Sequence, residues 1–237
     1  MADHLPPANG RALKDRRRIY GSFFSGLTPA MHGRSLWGLY GQGASRPMLN
    51  VTVHHDTDFS REEIVAVVSL VYGFWPSKDK TIAELVEAFP EISKQYRASY
   101  PQIRLPSLRY VVWDKDTAVA HALTFERPVI TGAGEISVMA LSGVCVFPSY
   151  QGKALGAEIV RRTFGRIHGG EFDVSLFQTT IPAFYKKLGA TLVTNRFVNS
   201  RNKNHPDANP WHDDWVMTYP RSYSWPQGPI DLNGPGY

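Results

Sequence analysis

The sequence predicts an α/β protein with a mixed, mostly antiparallel central sheet flanked by helices on both faces. Three observations lead to this fold class. Segments in which apolar and polar residues alternate, as in half-buried strands, are interspersed with segments whose apolar residues recur every three or four positions, as in helices. Two helical segments open with a capping box. One strand-like segment is apolar at four consecutive positions, as expected where both faces of a sheet are covered.

The chain should begin its folded part with a strand and a helix. Alternation over residues 49–53 predicts a half-buried strand. Ser60 and Glu63 form the first capping box, and the segment after them carries an apolar stripe at helical spacing. This helix should end near Pro76, because proline disfavours helical geometry in the residue before it.

A second helix and a hairpin come next. Thr81 and Glu84 form the second capping box, and Pro90 is expected to interrupt the helix that they open. Residues 108–113 and 118–125 are rich in β-branched, aromatic and other apolar residues and flank a short polar turn. They predict a pair of neighbouring strands joined as a hairpin.

The second half of the chain continues the alternation of strands and helices. Residues 135–147 form a longer strand that ends in the all-apolar run, so it should be central in the sheet. The next helix should start after Pro148 and end at Gly169. The remaining elements are a strand over 172–177, a helix over 182–188, a strand over 190–198, a polar loop over 199–210 and a last strand over 215–219.

Charge divides the chain into parts. Residues 1–47 hold seven basic and two acidic residues, an excess of five, which equals the formal net charge of the 237-residue chain. This segment also lacks a sustained apolar period. We therefore predict a basic, flexible extension over residues 1–47, a charge-balanced folded domain over 48–220, and a proline- and aromatic-rich tail over 221–237 packed on that domain.

Composition excludes several classes of protein. A single cysteine, Cys145, rules out an internal disulfide framework and favours a reducing, cytoplasmic location. No apolar run approaches the roughly 18 residues that a membrane-spanning helix needs, so no membrane contact is expected. The arginine-rich extension is also compatible with organellar targeting. Net charge alone would favour nucleic acid as a partner, but the excess lies in the extension, so nucleic acid is not expected to bind the domain.

The segment from Val144 to Gly156 carries the strongest functional signal. An apolar strand runs through a turn of small residues directly into a helix. Unpaired N–H groups in the first helical turn and the positive end of the helix dipole make an anion site there. Lys153, Arg161 and Arg162 add positive charge nearby. A phosphate or pyrophosphate is the expected ligand.

Two common nucleotide motifs do not fit this segment. The Walker pattern requires serine or threonine after Gly-Lys, where this chain has Ala154. The dinucleotide fingerprint lies between a strand and a helix, whereas the Gly132-Ala-Gly134 triplet precedes a strand.

The segment resembles the acyl-CoA binding motif of the GCN5-related N-acetyltransferase (GNAT) superfamily: Gln or Arg, two residues, Gly, one residue, then Gly or Ala. Gln151, Ala154 and Gly156 stand at those positions. Ala154 departs from the usual glycine; helical dihedrals allow its methyl group, which would nevertheless crowd a closely approaching phosphate. The resemblance implies pyrophosphate contacts from backbone N–H groups and pairing of pantetheine with the strand before the turn. The residues concerned are Gln151, Gly152, Lys153, Ala154, Leu155 and Gly156 for pyrophosphate, and Val144, Cys145 and Val146 for pantetheine.

Residues 184–190 resemble the second signature of the same family, in which a tyrosine follows an apolar residue and precedes glycine at the helix end. The resemblance implies that Tyr185 lies near the sulfur of acetyl-CoA and protonates the departing thiolate. Gln178 stands where the family commonly has an asparagine that bonds the pantetheine arm. From the residues alone, a core position is the favoured interpretation of Tyr185, since it lies on an apolar stripe of its helix; the resemblance is what favours a functional role.

No motif identifies the general base that takes the amine proton. Glu135, at the start of the central strand, is the candidate we adopt, and Glu126, His121 and Asp213 are chemically suitable alternatives. Cys145 lies on an apolar strand without an evident base partner, so a buried thiol is expected rather than a nucleophile. The histidines do not have the spacing of a compact metal-ligand motif, and no metal is expected.

The resemblance covers about residues 50–219 and implies the GNAT fold. It also implies an N-acetyltransferase that uses acetyl-CoA as co-substrate and transfers the acyl group directly to an amine in a ternary complex. The acceptor is expected to be a small-molecule amine or a peptide amine, recognised by the helices after Ser60, the loop 199–210 and the aromatic residues Trp211, Trp215, Tyr223 and Trp225. The alternative is a degenerate member that binds CoA or a partner without catalysis. The departures from the family pattern at Ala154 and Gln178 suggest this alternative. A homodimer is compatible with the sequence.

Overall fold

A computed structural model describes residues 50–237 of the chain. The extension predicted over residues 1–47 lies outside the described residues, and the domain boundaries predicted at residues 47 and 220 stay predictions. The helices are α1 (Arg61–Phe74), α2 (Ile82–Ser99), α3 (Leu155–His168) and α4 (Pro182–Lys187), with a short 3₁₀ helix at Pro148–Tyr150. The strands are β1 (Val51–His54), β2 (Leu108–Asp114), β3 (Thr117–Thr131), β4 (Gly134–Val146), β5 (Ser175–Thr179), β6 (Thr191–Val193), β7 (Phe197–Val198), β8 (Trp215–Tyr219) and β9 (Ile230–Asp231).

Both predicted capping boxes are confirmed. The amide of Glu63 donates to Ser60 Oγ over 3.2 Å, and the amide of Ser60 donates to the Glu63 carboxylate over 2.8 Å. Thr81 and Glu84 make the same reciprocal pair. Each box satisfies N–H groups that the first helical turn leaves without an intrahelical partner, so a local pattern is enough to start the helix.

The prediction that Pro90 interrupts the second helix is wrong, because α2 continues through it to Ser99. Proline in a helix interior costs about 3 kcal/mol. Tertiary contacts beyond Pro90 offset this cost: Tyr96 Oη donates to the carbonyl oxygen of Glu126 over 2.7 Å, and Ser93 Oγ donates to the carboxylate of Asp56. Packing, which a local pattern does not contain, therefore decides the length of this helix.

The sheet is mixed and mostly antiparallel, as predicted. Its strand order is β1-β2-β3-β4-β5-β8-β6, and β9 pairs with β3 and β7 at one side. In the main path only β4 and β5 run parallel. The predicted hairpin is confirmed as β2 and β3, but β3 extends to Thr131 and forms a second, longer hairpin with β4.

Helices cover both faces of the sheet because neighbouring residues of a strand point to opposite faces. On one face, α3 and α4 pack on a cluster that includes Val112, Met139 and Phe164. On the other face, α1 and α2 pack on a cluster that includes Val111 and Phe89. None of the helices described between residues 50 and 237 is both long and apolar enough to cross a membrane.

The segment after β8 covers the part of the sheet that α1 and α2 leave open. Ile230 and Leu232 are buried in a third cluster with residues of β3, β4 and β5. The guanidinium of Arg127 on β3 donates to the carbonyl oxygens of Leu232, over 2.9 Å, and Pro235, over 3.1 Å. These contacts fix the path of the tail across the sheet. The short strand β9 within it was not expected from the sequence.

Candidate active site

The central feature of the candidate site is a wedge between two parallel strands. β4 and β5 pair only at Met139–Ser175 and Ala140–Leu176. Beyond these pairs β4 continues to Val146, and its other edge stays paired with β3. Within the described residues, the edge of β4 from position 141 to 146 therefore has no strand beside it, and its main-chain groups are available to a ligand lying in the wedge.

A bulge in β4 sets which groups face this wedge. The pairing of β3 with β4 shifts register between His121 and Leu123, and Gly143 has a φ of 60°. The amide of Phe147 points toward β3, since it donates to the carbonyl of Val119 over 2.8 Å. Main-chain groups of successive strand residues point in opposite directions, so those of Val146 and Val144 point away from β3. These two residues therefore present their amides to the wedge.

At the mouth of the wedge, the turn between β4 and α3 uses left-handed backbone at two residues. Gly152 has a φ of 76° and Ala154 a φ of 63°. The expectation that Ala154 has helical dihedrals is wrong: it is the N-cap of α3 in the left-handed region, where an L-residue is strained by about 1 kcal/mol or more. Gln151 Nε2 donates to the carbonyl oxygen of Val146 over 3.0 Å and so holds the turn against the wedge.

The N-terminus of α3 offers free donors. Its first internal hydrogen bond runs from the amide of Glu158 to the carbonyl of Ala154, and no side chain caps the helix. The amides of residues 155–157 thus have no partner within the helix. The exposed Lys153 lies beside them, with its Nζ 4.6 Å from the ring centre of Tyr150. This arrangement is suited to a phosphate group.

Tyr185 on α4 is buried, with 5% of its surface exposed, and its ring centre lies 4.7 Å from that of Phe177 on β5. Among the described residues, its hydroxyl has no hydrogen-bond partner. Burial, with a smaller contribution from the Asp213 carboxylate, raises the pKa of Tyr185 above its usual range. The phenol is therefore protonated at neutral pH and holds a proton that no neighbouring acceptor shares.

The expected role of Gln178 is contradicted by its contacts. Its Oε1 accepts from the amides of His212, over 2.7 Å, and Asp213, over 2.9 Å, and its Nε2 donates to the carbonyl oxygen of Tyr237 over 2.9 Å. The reason is the direction of its side chain. Gln178 lies two residues after Leu176 and so points to the same face of the sheet, which the tail covers. Its amide joins β5 to the tail and is not available to a pantetheine arm.

Glu135, the adopted base, is also contradicted. It lies at the start of β4, nine residues before Val144, which corresponds to about 30 Å along a strand. Its carboxylate is exposed and accepts from Gln102 Nε2 over 3.3 Å. The carboxylate thus belongs to the far hairpin and does not reach the wedge.

Two alternative bases are fully occupied by structural contacts. Glu126 is buried and accepts from the amides of Arg104 and Leu105 and from Ser137 Oγ. His121 is buried with contacts at both ring nitrogens. Neither side chain is free to take a proton from a substrate.

Asp213 is the remaining candidate from the sequence. It is partly buried, next to β8, in the segment that Gln178 holds. Burial and the neighbouring Asp214 carboxylate raise the pKa of Asp213, and His212 opposes this shift. Its carboxylate is also close enough to Tyr185 to affect the titration of that phenol. Of the four candidate bases, Asp213 is therefore the one whose charge acts on the Tyr185 phenol.

A cavity of about 470 Å³ adjoins Asp213. Two further carboxylates, Asp207 and Asp214, line it together with the indoles of Trp211 and Trp215. Trp211 is buried, and its Nε1 has no hydrogen-bond partner within the part of the chain that is described. Arg196 also lines the cavity and is paired with Asp207 over 2.9 Å, so Asp213 and Asp214 are the carboxylates left for a cationic ligand.

The sequence indicated one wall of this cavity, through the loop 199–210 and the residues Trp211 and Trp215. It did not indicate the other wall, residues 192–197, which a separate segment supplies. The sequence analysis also did not predict the bulge, for which an isolated glycine inside a strand pattern is the available signal.

Cys145 is buried as expected, and burial raises the pKa of its thiol to about 12. Between residues 50 and 237, no group of His, Cys, Asp or Glu side chains is arranged to hold a metal ion.

The chain matches a known family. The family model described as an acetyltransferase (GNAT) domain matches residues 55–193, which is more than half of the chain. Among curated proteins, none matches at a significant level.

Several solved structures are similar at low sequence identity. An acyl-CoA N-acyltransferase from Pseudomonas aeruginosa is 14% identical, with 72% of this chain and 98% of that chain covered and a TM-score of 0.44. ElaA from Escherichia coli is 15% identical, with 72% and 99% covered and a TM-score of 0.46. A GNAT family acetyltransferase from Brucella melitensis, solved with acetyl-CoA, is 16% identical, with 77% and 95% covered and a TM-score of 0.46.

Proposed function

Because this chain belongs to the GNAT acetyltransferase family, we propose that it is an N-acetyltransferase that transfers the acetyl group of acetyl-CoA directly to an amine. The observation that carries the proposal is the wedge between β4 and β5, with the uncapped N-terminus of α3 at its mouth. A strand edge and a phosphate-binding helix terminus meet there, as a long ligand with a pyrophosphate at one end requires.

The residues available at the wedge fit acetyl-CoA. The amides of residues 152–157 would bind the pyrophosphate, and Lys153 would add positive charge. The main-chain groups of Val144 and the amide of Val146 would pair with the pantetheine arm, since the carbonyl oxygen of Val146 already accepts from Gln151 Nε2. Bound acetyl-CoA would supply an activated thioester whose carbonyl carbon an amine can attack.

Residues of this chain would manage charge and protons in the transfer. One wedge amide, at Val144 or Val146, would donate to the carbonyl oxygen as negative charge develops on it. The C–N bond forms and the C–S bond breaks. The proton leaving the amine would pass to the Asp213 carboxylate, directly or through a water, and the Tyr185 phenol would return a proton to the thiolate sulfur. Asp213 replaces Glu135 in this role, since Glu135 lies at the far end of β4.

The cavity beside Asp213 is our proposed acceptor site. Asp207 is already paired with Arg196, which also lines the cavity, so the carboxylates of Asp213 and Asp214 are the ones that favour an amine acceptor. The indole of Trp215, which is 45% exposed, offers a face to a cation or a planar group. A small polyamine, an amino sugar or a basic peptide has this chemistry.

Two measurements test the proposal in sequence. Calorimetric titration with acetyl-CoA should show one site per chain. A thiol-release assay over a panel of cationic and neutral amines should then show turnover that is fastest with the cationic acceptors. Absence of acetyl-CoA binding would contradict the proposal at its first step.

A second candidate function is CoA binding without catalysis. The strained left-handed Ala154 and the engagement of Gln178 by the tail favour it, because both weaken features that the family uses to hold CoA. Tight acetyl-CoA binding with no thiol release across the whole panel would select this function over the enzyme.

A further inference from the structure

A line of buried polar groups crosses the sheet from α2 to the bulge in β4; we call it the bulge network. Ser93 Oγ and Arg109 Nε both donate to the carboxylate of Asp56. Arg109 Nη1 lies 3.2 Å from His121 Nε2. His121 Nδ1 lies 2.8 Å from the carbonyl oxygen of Gly143. The network therefore ends on a main-chain atom of the bulge.

The contacts of the network determine the protonation of His121. A guanidinium can only donate, so His121 Nε2 accepts from Arg109, and Nδ1 carries the proton that is donated to Gly143. The ring is therefore a neutral, single tautomer. Burial, with a further contribution from the Arg109 charge, lowers the pKa of His121 to about 3, which agrees with this tautomer at neutral pH.

The ring and the bulge also fit each other sterically. A Cβ atom added at Gly143 would lie 3.2 Å from both Cε1 and Nδ1 of His121, and the φ of Gly143 is one that glycine favours. The Asp56–Arg109 ion pair behind the ring is buried on both sides. The Nε2 side of the His121 ring is thus held by the Asp56–Arg109 ion pair, and the Nδ1 side contacts the bulge.

The bulge decides the direction of the wedge amides. Met139 and Leu141 face the α3 side of the sheet. In a regular strand every second residue points to the same face, so without the residue inserted at the bulge Cys145 would face that side too. Instead Val144 and Val146 face that side and Cys145 packs against α1 and α2. The inserted residue has shifted the alternation by one, which turns the amides of Val144 and Val146 from β3 to the wedge.

We propose that His121 is a positioning residue, which holds the Gly143 bulge so that the amides of Val144 and Val146 point at the thioester of acetyl-CoA. The Asp56–Arg109 pair and Ser93 keep its ring in place. The role of the amides in this inference rests on the proposed function, whereas the role of His121 in the bulge does not.

Three substitutions of His121 separate the bond to Gly143 from simple packing. His121→Asn keeps an N–H near the position of Nδ1, His121→Gln reaches only toward Arg109, and His121→Leu keeps neither bond. We expect kcat to fall about tenfold in the Gln and Leu variants, as for loss of one buried hydrogen bond, and to stay within about threefold in the Asn variant. KM for the amine acceptor should not change in any of them.

Thr124→Val is the matched control. Thr124 lies on the same strand and is buried, but its hydroxyl contacts Arg166 and the carbonyl of Leu108 and not the bulge. This variant should lose thermal stability comparable to that of His121→Leu and keep its kcat. An equal loss of kcat in Thr124→Val, or full activity in His121→Leu, would overturn the inference.

Amide chemical shifts of residues 143–146 in isotope-labelled protein give a readout that needs no activity. They should move in His121→Leu and stay close to wild type in His121→Asn. If wild-type protein fails to bind acetyl-CoA, the proposed function is wrong, and these shifts still decide whether His121 holds the bulge. Unchanged shifts in His121→Leu would overturn that role.

Discussion

The side-chain amide of Gln178 donates to the main-chain carbonyl oxygen of Tyr237 over 2.9 Å, which ties the strand beside the wedge to the tail. The same tail is held by Arg127 and by Tyr100, whose hydroxyl donates to the carbonyl of Asn233 over 2.6 Å. The wall of the candidate acceptor cavity and the tail are therefore one packed unit, and a change in the tail should be felt at the site.

The first prediction concerns Gly234 in this tail. Its φ is 147°, and a Cβ atom there would collide with Arg127 Nη2 and Tyr100 Oη. Gly234→Ala should therefore lower the free energy of unfolding by about 2 kcal/mol or more, since a buried hydrogen-bonded group must move. Gly132→Ala is the control, because no atom lies within 4 Å of the added Cβ. Urea denaturation should separate the two, and equal stabilities would contradict this account of the tail.

Ala154→Gly should tighten acetyl-CoA binding. The substitution relieves a left-handed alanine and removes a methyl group beside the phosphate site. The higher entropy of unfolded glycine offsets the relief, so stability should change by less than about 1 kcal/mol. Calorimetry with acetyl-CoA measures the affinity. Ala157→Gly, within the first turn of α3, should lower helix stability without a gain in affinity.

Tyr185→Phe should reduce turnover while leaving the fold intact. The hydroxyl has no hydrogen-bond partner within residues 50–237, so its loss should change the free energy of unfolding by less than about 1 kcal/mol. Loss of a general acid should lower kcat by about 100-fold. Tyr219→Phe is the control: this tyrosine stacks on Phe164 at 3.7 Å and its hydroxyl contacts only the exposed His168. A Tyr185→Phe enzyme with full kcat would exclude the phenol as the acid.

Titration of Asp213 should determine how the rate falls on the acid side of the pH–rate profile. The carboxylate must be ionised to accept a proton, and its pKa is raised by burial and by Asp214. The rate should therefore fall as pH drops through a value above the usual range for aspartate, and Asp213→Asn should lower kcat and abolish this limb. In Asp214→Asn the limb should move to lower pH, because removal of the neighbouring negative charge lowers the pKa of Asp213. If the acid limb of the pH–rate profile is unchanged in both variants, a group other than Asp213 is responsible for it.

Acid stability should depend on His121. Its pKa is about 3 in the folded protein and about 6.5 when unfolded, so the unfolded chain takes up the proton first as pH falls. This contribution to stability is present in full above about pH 6.5 and is lost progressively between there and about pH 3. Urea midpoints measured across this window should fall more steeply for wild type than for His121→Asn. Parallel curves would show that His121 does not titrate on unfolding.

Much of the fold is visible in the sequence, because local interactions specify it. The capping boxes at Ser60 and Thr81 use bonds within one helical turn, and the period of apolar residues distinguishes strands from helices. The turn at Gln151 is also local, since a strand, small residues and a helix follow one another directly. The path of the chain from β4 through the turn into α3 was therefore predictable, whereas the left-handed backbone of Ala154 was not.

The sequence by itself determined the α/β class, the starts of α1 and α2, and the turn at the mouth of the wedge. Only the tertiary structure decided that α2 passes through Pro90, that Glu135 lies far from the wedge, and that Gln178 serves the tail. It also brought Arg109 to His121, and it placed the Asp213 carboxylate where its charge raises the pKa of Tyr185. The physical reason is distance along the chain: these contacts join residues from separate elements, and no periodicity within either element records which residue of the other it will meet.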